Sequence, residues 1–172
     1  MQCPHCQAEN LDGIDECVEC HQSLTEFIPV GSDLERSITS HPIAVLAPVK
    51  PVTISPQMSV REAMREMTSR KIGCVVVAEN GNLQGIFTER DILIKVTPDL
   101  SRLDSPVSEF MTADPETVTT QDTIAYTLQC MNLGGYRHMP VVNENKQPIG
   151  VISIRDILRF LCIRFAALRT AE

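Results

Sequence analysis

Apolar positions in this chain alternate between two periods, and the alternation runs through the same order twice. Val52-Thr53-Ile54 predicts a short strand. Val60, Ala63, Met64 and Met67 recur at helical spacing behind Ser59, with Glu62 three residues on as in a capping box, and predict a helix to about Ser69. Lys71-Ile72-Gly73 turns the chain, and the unbroken apolar run Cys74 to Ala78 reads as a buried strand. Asn80-Gly81 predicts a tight hairpin that returns through Leu83 to Phe87. Thr88 then opens a helix through Ile92, Leu93 and Val96, ending near Pro98.

The second half repeats that order. Thr117-Val118-Thr119 is the short strand, and Asp122 or Thr123 caps a helix of Ile124, Tyr126, Leu128 and Met131 that stops at Gly134-Gly135. Met139 to Val142 is a strand, Asn143 to Gln147 a turn, and Ile149 to Ile152 a strand. Ser153 opens the last helix, which runs through Leu168. Gly85-Ile-Phe-Thr-Glu-Arg-Asp-Ile-Leu93 recurs as Gly150-Val-Ile-Ser-Ile-Arg-Asp-Ile-Leu158 at a constant offset of 65. A fixed offset means one supersecondary unit folded twice. Met67 matches Met131 at an offset of 64, which places a one-residue gain near Gly134-Gly135. The last helix is too apolar to stand in water alone, so it either covers the core or meets a partner subunit. Arg155, Arg159, Arg164 and Arg169 mark its other faces.

Ahead of the repeats, Gly31-Ser32-Asp33 reads as a turn and Asp33 to Ser40 as a short helix stopped before Pro42. Ile43 to Ala47 is apolar and is expected to pack on the following domain. The expected organisation is a small module over 1–30, a linker over 31–44, a first repeat over 45–100 and a second over 101–172 with an extended helix. The fold class is α+β: two β-α-β-β-α repeats behind a small cysteine module.

Composition sharpens this picture. At 172 residues, 43% hydrophobic but only 4% aromatic and without Trp, the core must be built of Ile, Val, Leu and Met. No apolar run is long enough to span a bilayer. The first residues carry neither a basic nor an apolar leader pattern, so a cytoplasmic location is expected. The net charge of −7 is lopsided: residues 1–35 hold eight of the 22 acids and no Lys or Arg. Phosphate contact needs those cations, so nucleic-acid binding by this segment is disfavoured.

Four of the seven cysteines form Cys3-Pro-His-Cys6 and Cys17-Val-Glu-Cys20, two pairs separated by ten residues. Two such turns brought together offer a tetrahedral thiolate site suited to Zn²⁺, and a segment this small needs the metal to fold. A redox dithiol or an iron–sulfur site is the alternative, but no thioredoxin-like pattern follows. The segment resembles the short bacterial zinc-ribbon family over residues 3–24, through Cys3-Pro4-x-Cys6, Asn10, Gly13, Cys17-x-x-Cys20 and Leu24. It departs at Gln7 and His21, where that family usually has glycine for its positive φ. An acidic ribbon is read as a protein-contact module or structural cap.

Within the repeated stretch, Gly85 admits a close approach to the strand, Thr88 stands at a helix N-cap and Asp91 in its first turn, with Gly150, Ser153 and Asp156 as counterparts. Free N–H groups at a helix start favour anions, and an adjacent carboxylate can accept both hydroxyls of a ribose. Thr-x-x-Asp is equally an ordinary capping box, and the two readings are compatible.

Both repeats resemble the cystathionine-β-synthase (CBS) domain family, over about residues 45–168. The carriers are Gly85-x-x-Thr88-x-x-Asp91, Gly150-x-x-Ser153-x-x-Asp156, the Pro51-x-Thr53 and Pro115-x-Thr117 pairs, and Arg137-His138-x-Pro140-Val141-Val142. The resemblance implies a pseudo-two-fold pair (a Bateman module) with clefts between the repeats, a homodimer, and a regulatory, non-catalytic role binding an adenine nucleotide or S-adenosylmethionine. By position, Asp91 and Asp156 would hold ribose, and Thr88 and Ser153 ribose or phosphate. The backbone near Thr53 and Thr117, with Ile86, Val151 and Met139 as apolar walls, would receive the base. Arg137 and His138 would face phosphate; in the first repeat Gly73 replaces the histidine. The competing reading is a ligand-free assembly protein using the ribbon as its contact module. No nucleophile–base–orienter set supports an enzyme.

Overall fold

A computed structural model describes Gln2, Cys3 and residues 5–11, 14–24 and 40–169, with side chains to 166. Pro4 and Gly13 of the ribbon pattern, the turn at Gly31-Ser32-Asp33 and the expected helix before Ser40 lie outside the described residues. The chain gathers into two compact units that do not follow its linear order: one joins 49–118 to 138–151, and the other joins the described residues up to 48 to 119–137 and 152 onward.

The first of these units is built on a four-stranded sheet, in the order β1-β2-β3-β4. The strands are β1 Thr53–Ile54, β2 Cys74–Glu79, β3 Asn82–Thr88 and β4 Thr112–Ala113. β1 runs parallel to β2, and β2–β3 and β3–β4 are antiparallel, with Thr53 beside Val76, Val76 beside Ile86 and Ile86 beside Thr112. The β2–β3 hairpin turns at Asn80 and Gly81, both with positive φ (51° and 83°), as a primed two-residue turn requires.

Helix α1, Val60–Arg70, starts in the expected box: the Ser59 hydroxyl accepts from the Glu62 N–H, and the Glu62 carboxylate accepts from the Ser59 N–H. It ends on Lys71 in the left-handed region. Its Val60, Ala63 and Met67 pack with Ile54, Val75, Val77, Phe87, Val96, Val107 and Phe110. Valine is the commonest residue of this core, but Phe87 and Phe110 are its largest fully buried side chains, which the expected Ile, Val, Leu and Met core left out.

Two expectations change here. The helix after Thr88, α2, is α-helical only over Glu89–Asp91 and widens into a π-helix over Ile92–Val96, where the Thr97 N–H reaches the Ile92 carbonyl at 3.0 Å. The strand expected over 117–119 shrinks to one parallel bridge, Val118 to Val141. The Thr119 N–H turns instead to the Asp122 carboxylate, which begins the next turn at once. Between Pro98 and Thr112, 3₁₀ turns over Leu100–Asp104 and Val107–Glu109 lead into β4, a strand that the apolar pattern did not suggest. β5, His138–Val142, pairs with β6, Pro148–Ser153, across the Asn143–Gln147 turn.

In the other unit, Thr123 rather than Asp122 caps α3, Ile124–Gly134, by accepting from the Tyr126 N–H at 3.1 Å, and Gly135 closes it at φ 66°. The apolar stretch at 43–47 departs from expectation: the 3₁₀ turn Ile43–Leu46 buries Ile43 completely but leaves Val45 46% exposed, and it joins the second repeat rather than the domain that follows it, the Ile43 N–H donating to the Asp122 carbonyl at 2.8 Å. α4, Ile154–Arg169, buries Ile157 but leaves Leu158, Ile163 and Phe165 more than half exposed. No helix among the described residues is long and apolar enough to cross a membrane.

Candidate functional site

The two cysteine turns are built alike. In each, the N–H four residues after the first cysteine returns to that cysteine's carbonyl: Gln7 to Cys3 and His21 to Cys17, both at 2.9 Å. Gln7 and His21 take φ of 64° and 55°, so the left-handed geometry is kept without glycine. The cost is about 1 kcal/mol each.

The four Sγ atoms lie within 4.8 Å of one another, with Cys3 to Cys20 at 3.7 Å and Cys6 to Cys17 at 3.5 Å. Zn–S bonds of about 2.3 Å in a tetrahedron require sulfur atoms about 3.8 Å apart, so this set could hold a metal ion. Burial raises the Cys6 thiol to about 11 and raises Cys20 as well. At Cys17 burial acts in the same sense, but the N–H groups of Cys20 and Glu19 and the Asn10 side chain bring it down to about 6. Asn10, buried, holds both turns: its amide donates to the Ala8 carbonyl and Cys17 Sγ, and its oxygen accepts from the Val18 N–H. His21 is exposed, while His5 is half-buried, with its pKa lowered by burial. The ribbon's buried cysteines and Leu24 pack with Tyr126 of α3, and the Thr123 hydroxyl donates to the His5 carbonyl at 2.9 Å.

The repeated stretch gives two carboxylates with different surroundings. Asp91 is buried, 6% exposed. Its Oδ2 accepts from the Thr88 N–H at 2.9 Å and hydroxyl at 2.6 Å. Its Oδ1 pairs with Lys95 Nζ at 2.7 Å and accepts from the Thr112 hydroxyl at 3.3 Å. Gly85 is where a close approach occurs, and the approaching group is the chain itself. A Cβ there would lie 2.5 Å from Met111 Sδ and 2.8 Å from the Thr112 carbonyl oxygen.

In the second stretch, Asp156 Oδ2 likewise accepts from the Ser153 N–H at 2.9 Å and hydroxyl at 2.6 Å. Among the described residues its Oδ1 has only Arg159 at 3.8 Å, beyond hydrogen-bond reach, and its side chain is 24% exposed.

The remaining expected residues fall as follows. Thr53 is exposed on β1, and Ile86 is buried two strands away in the same row. Met139 is fully buried, Val151 pairs its backbone with Val49, and Thr117 is half-buried beside the Val118 bridge. The Arg137 side chain is exposed, while its carbonyl accepts from the Ile154 N–H at 3.0 Å. His138 lies over Gly73, where an added Cβ would meet its Cε1 at 2.9 Å. Gly73, at the position corresponding to His138 in the first repeat, leaves the room that this ring fills. Sequence reasoning passed over Lys95 and Thr112. The Asp91–Lys95 spacing of four was the available signal for the first, since i,i+4 opposite charges on a helix meet.

Comparison with known proteins agrees with this architecture. The family model for the CBS domain matches residues 40–97 and 107–163. An uncharacterized 17.7 kDa protein of Acidianus ambivalens is 35% identical over 120 residues, 69% of this chain and 72% of that one. Some longer plant relatives are matched over only 20% of their length. Among solved structures, a CBS-domain containing protein from Agrobacterium tumefaciens superposes with a TM-score of 0.64 at 33% identity, covering 69% of this chain and 97% of that chain. A CBS domain protein from Pyrobaculum aerophilum complexed with AMP does so with a TM-score of 0.63 at 27% identity, covering 71% and 98%.

Proposed function

This chain belongs to the CBS-domain family, and from that premise we propose that it is a non-catalytic regulatory module that binds an adenine nucleotide or S-adenosylmethionine. The observation that carries this reading is the Asp156 carboxylate. One oxygen is held by Ser153 at a helix start, and the other is turned out with no hydrogen bond among the described residues. A partly exposed carboxylate with spare acceptor capacity at a helix start suits the ribose diol of a nucleotide. The AMP held by the Pyrobaculum relative supports the same ligand class. Arg137, exposed on the segment leading into β5, would supply a cation to phosphate.

The metal of the ribbon is zinc in this reading, held by Cys3, Cys6, Cys17 and Cys20, where it would stabilise the fold and leave no position for substrate. A divalent cation would draw off the protons that burial favours on Cys6 and Cys20. The chain would act as a homodimer in the cytoplasm, through the exposed Leu158, Ile163 and Phe165 of α4.

Calorimetric titration of the zinc-loaded chain with AMP, ADP, ATP and S-adenosylmethionine tests this. Binding of at least one is expected, and Asp156→Asn should weaken it tenfold or more with little change in melting temperature. No heat and no thermal shift with any of them would favour the assembly-protein reading, in which exposed Leu11 and Val18 make the acidic ribbon a protein-contact surface.

A further inference from the structure

The two carboxylates differ in how much of their acceptor capacity is spent. A carboxylate offers about four lone-pair positions. At Asp91 four donors take them: the Thr88 N–H and hydroxyl, Lys95 Nζ and the Thr112 hydroxyl. Lys95 is equally committed. An ammonium has about three donors, and here they meet Asp91 Oδ1 at 2.7 Å, the Phe110 carbonyl at 2.8 Å and the Met111 carbonyl at 3.3 Å. The same segment covers Gly85 with Met111 Sδ and the Thr112 carbonyl, in the space a ligand would need to approach the strand.

At Asp156 only two donors are engaged among the described residues, both from Ser153. The residue 65 positions after Lys95 is Phe160, which cannot ion-pair. The π-helical turn at Ile92–Val96, within which Lys95 sits, has no counterpart in α4.

Resting on the regulatory reading above, we propose that Lys95 and the Phe110–Ala113 segment close the first site from within, so that each chain takes up one ribose-bearing ligand, at Ser153 and Asp156. A ribose diol has two hydroxyls to donate. At Asp156 it finds an open oxygen, whereas at Asp91 it would have to displace an ammonium that also ties down two carbonyls.

The test is the stoichiometry of AMP and of S-adenosylmethionine by calorimetry on the zinc-loaded full chain. The wild type should bind one molecule per chain of whichever probe binds, and Asp156→Asn should weaken that binding tenfold or more. Lys95→Met combined with Thr112→Val, which frees Asp91 Oδ1, should raise the stoichiometry from one to two. Two sites in the wild type, or undiminished affinity in Asp156→Asn, would overturn the proposal without needing the double variant to fold. A folded double variant that still binds one molecule would also overturn it. A wild type that binds neither probe would overturn the regulatory reading and this proposal together, a result distinct from either stoichiometric failure.

Discussion

Gly85 shows how a single residue type can be required by the chain's own packing rather than by a ligand. Its missing Cβ makes room for Met111 and for the Thr112 carbonyl. Gly85→Ala is therefore expected to destabilise the protein by about 1–3 kcal/mol, because Met111 can shift but the paired β4 backbone cannot. Urea denaturation checks this, and an unchanged midpoint would mean that β4 is not held against β3. Buried cysteine follows a similar logic. Burial and the charge of Glu89 push the Cys74 thiol up to about 12, so it behaves as a core side chain rather than a nucleophile.

Among the elements, α1 is the most completely specified locally. Ser59→Ala removes the acceptor for the Glu62 N–H and should cost about 1 kcal/mol. It should also alter the acid limb of stability. The Ser59 hydroxyl and N–H hold the Glu62 carboxyl below its ordinary value. A depressed folded-state pKa gives stability that is present above the unfolded value and lost as pH falls through the folded one. The wild-type advantage over Ser59→Ala should therefore narrow as pH drops below the ordinary glutamate range, as read by thermal melts across that range.

At α3 the determinant is not local. Thr123 both caps the helix and donates to the His5 carbonyl, and Tyr126 packs on the ribbon core. If the four cysteines hold zinc as proposed, stripping it with a chelator should therefore lower the melting temperature and change the environment of Tyr126, since a segment this small depends on its metal to fold. Tyrosine fluorescence that ignores the chelator would mean that the ribbon and α3 are uncoupled.

For the whole molecule, the exposed apolar side chains of α4 are what the homodimer proposal rests on. If Leu158, Ile163 and Phe165 meet a second copy, Phe165→Glu should shift the sedimentation coefficient from dimer to monomer without unfolding the chain. A wild type that sediments as a monomer would leave that face to another partner. The amino-acid sequence alone determined most of the strands and helices of the repeat, though not β4 or the reduction of the 117–119 strand to a bridge, and with them the caps at Ser59, Thr88 and Gly135 and the two cysteine turns. Each of these rests on residues within a few positions of one another, and short-range geometry is written directly in spacing and residue type. The tertiary structure decided which carboxylate keeps an open oxygen, that the helix after Thr88 widens, and where the ribbon docks. Asp91 is filled by Thr112, 21 residues away, and the ribbon meets α3 through a hydrogen bond between residues 118 apart. Such contacts exist only once the backbone has brought distant segments together, so no local period or propensity could announce them.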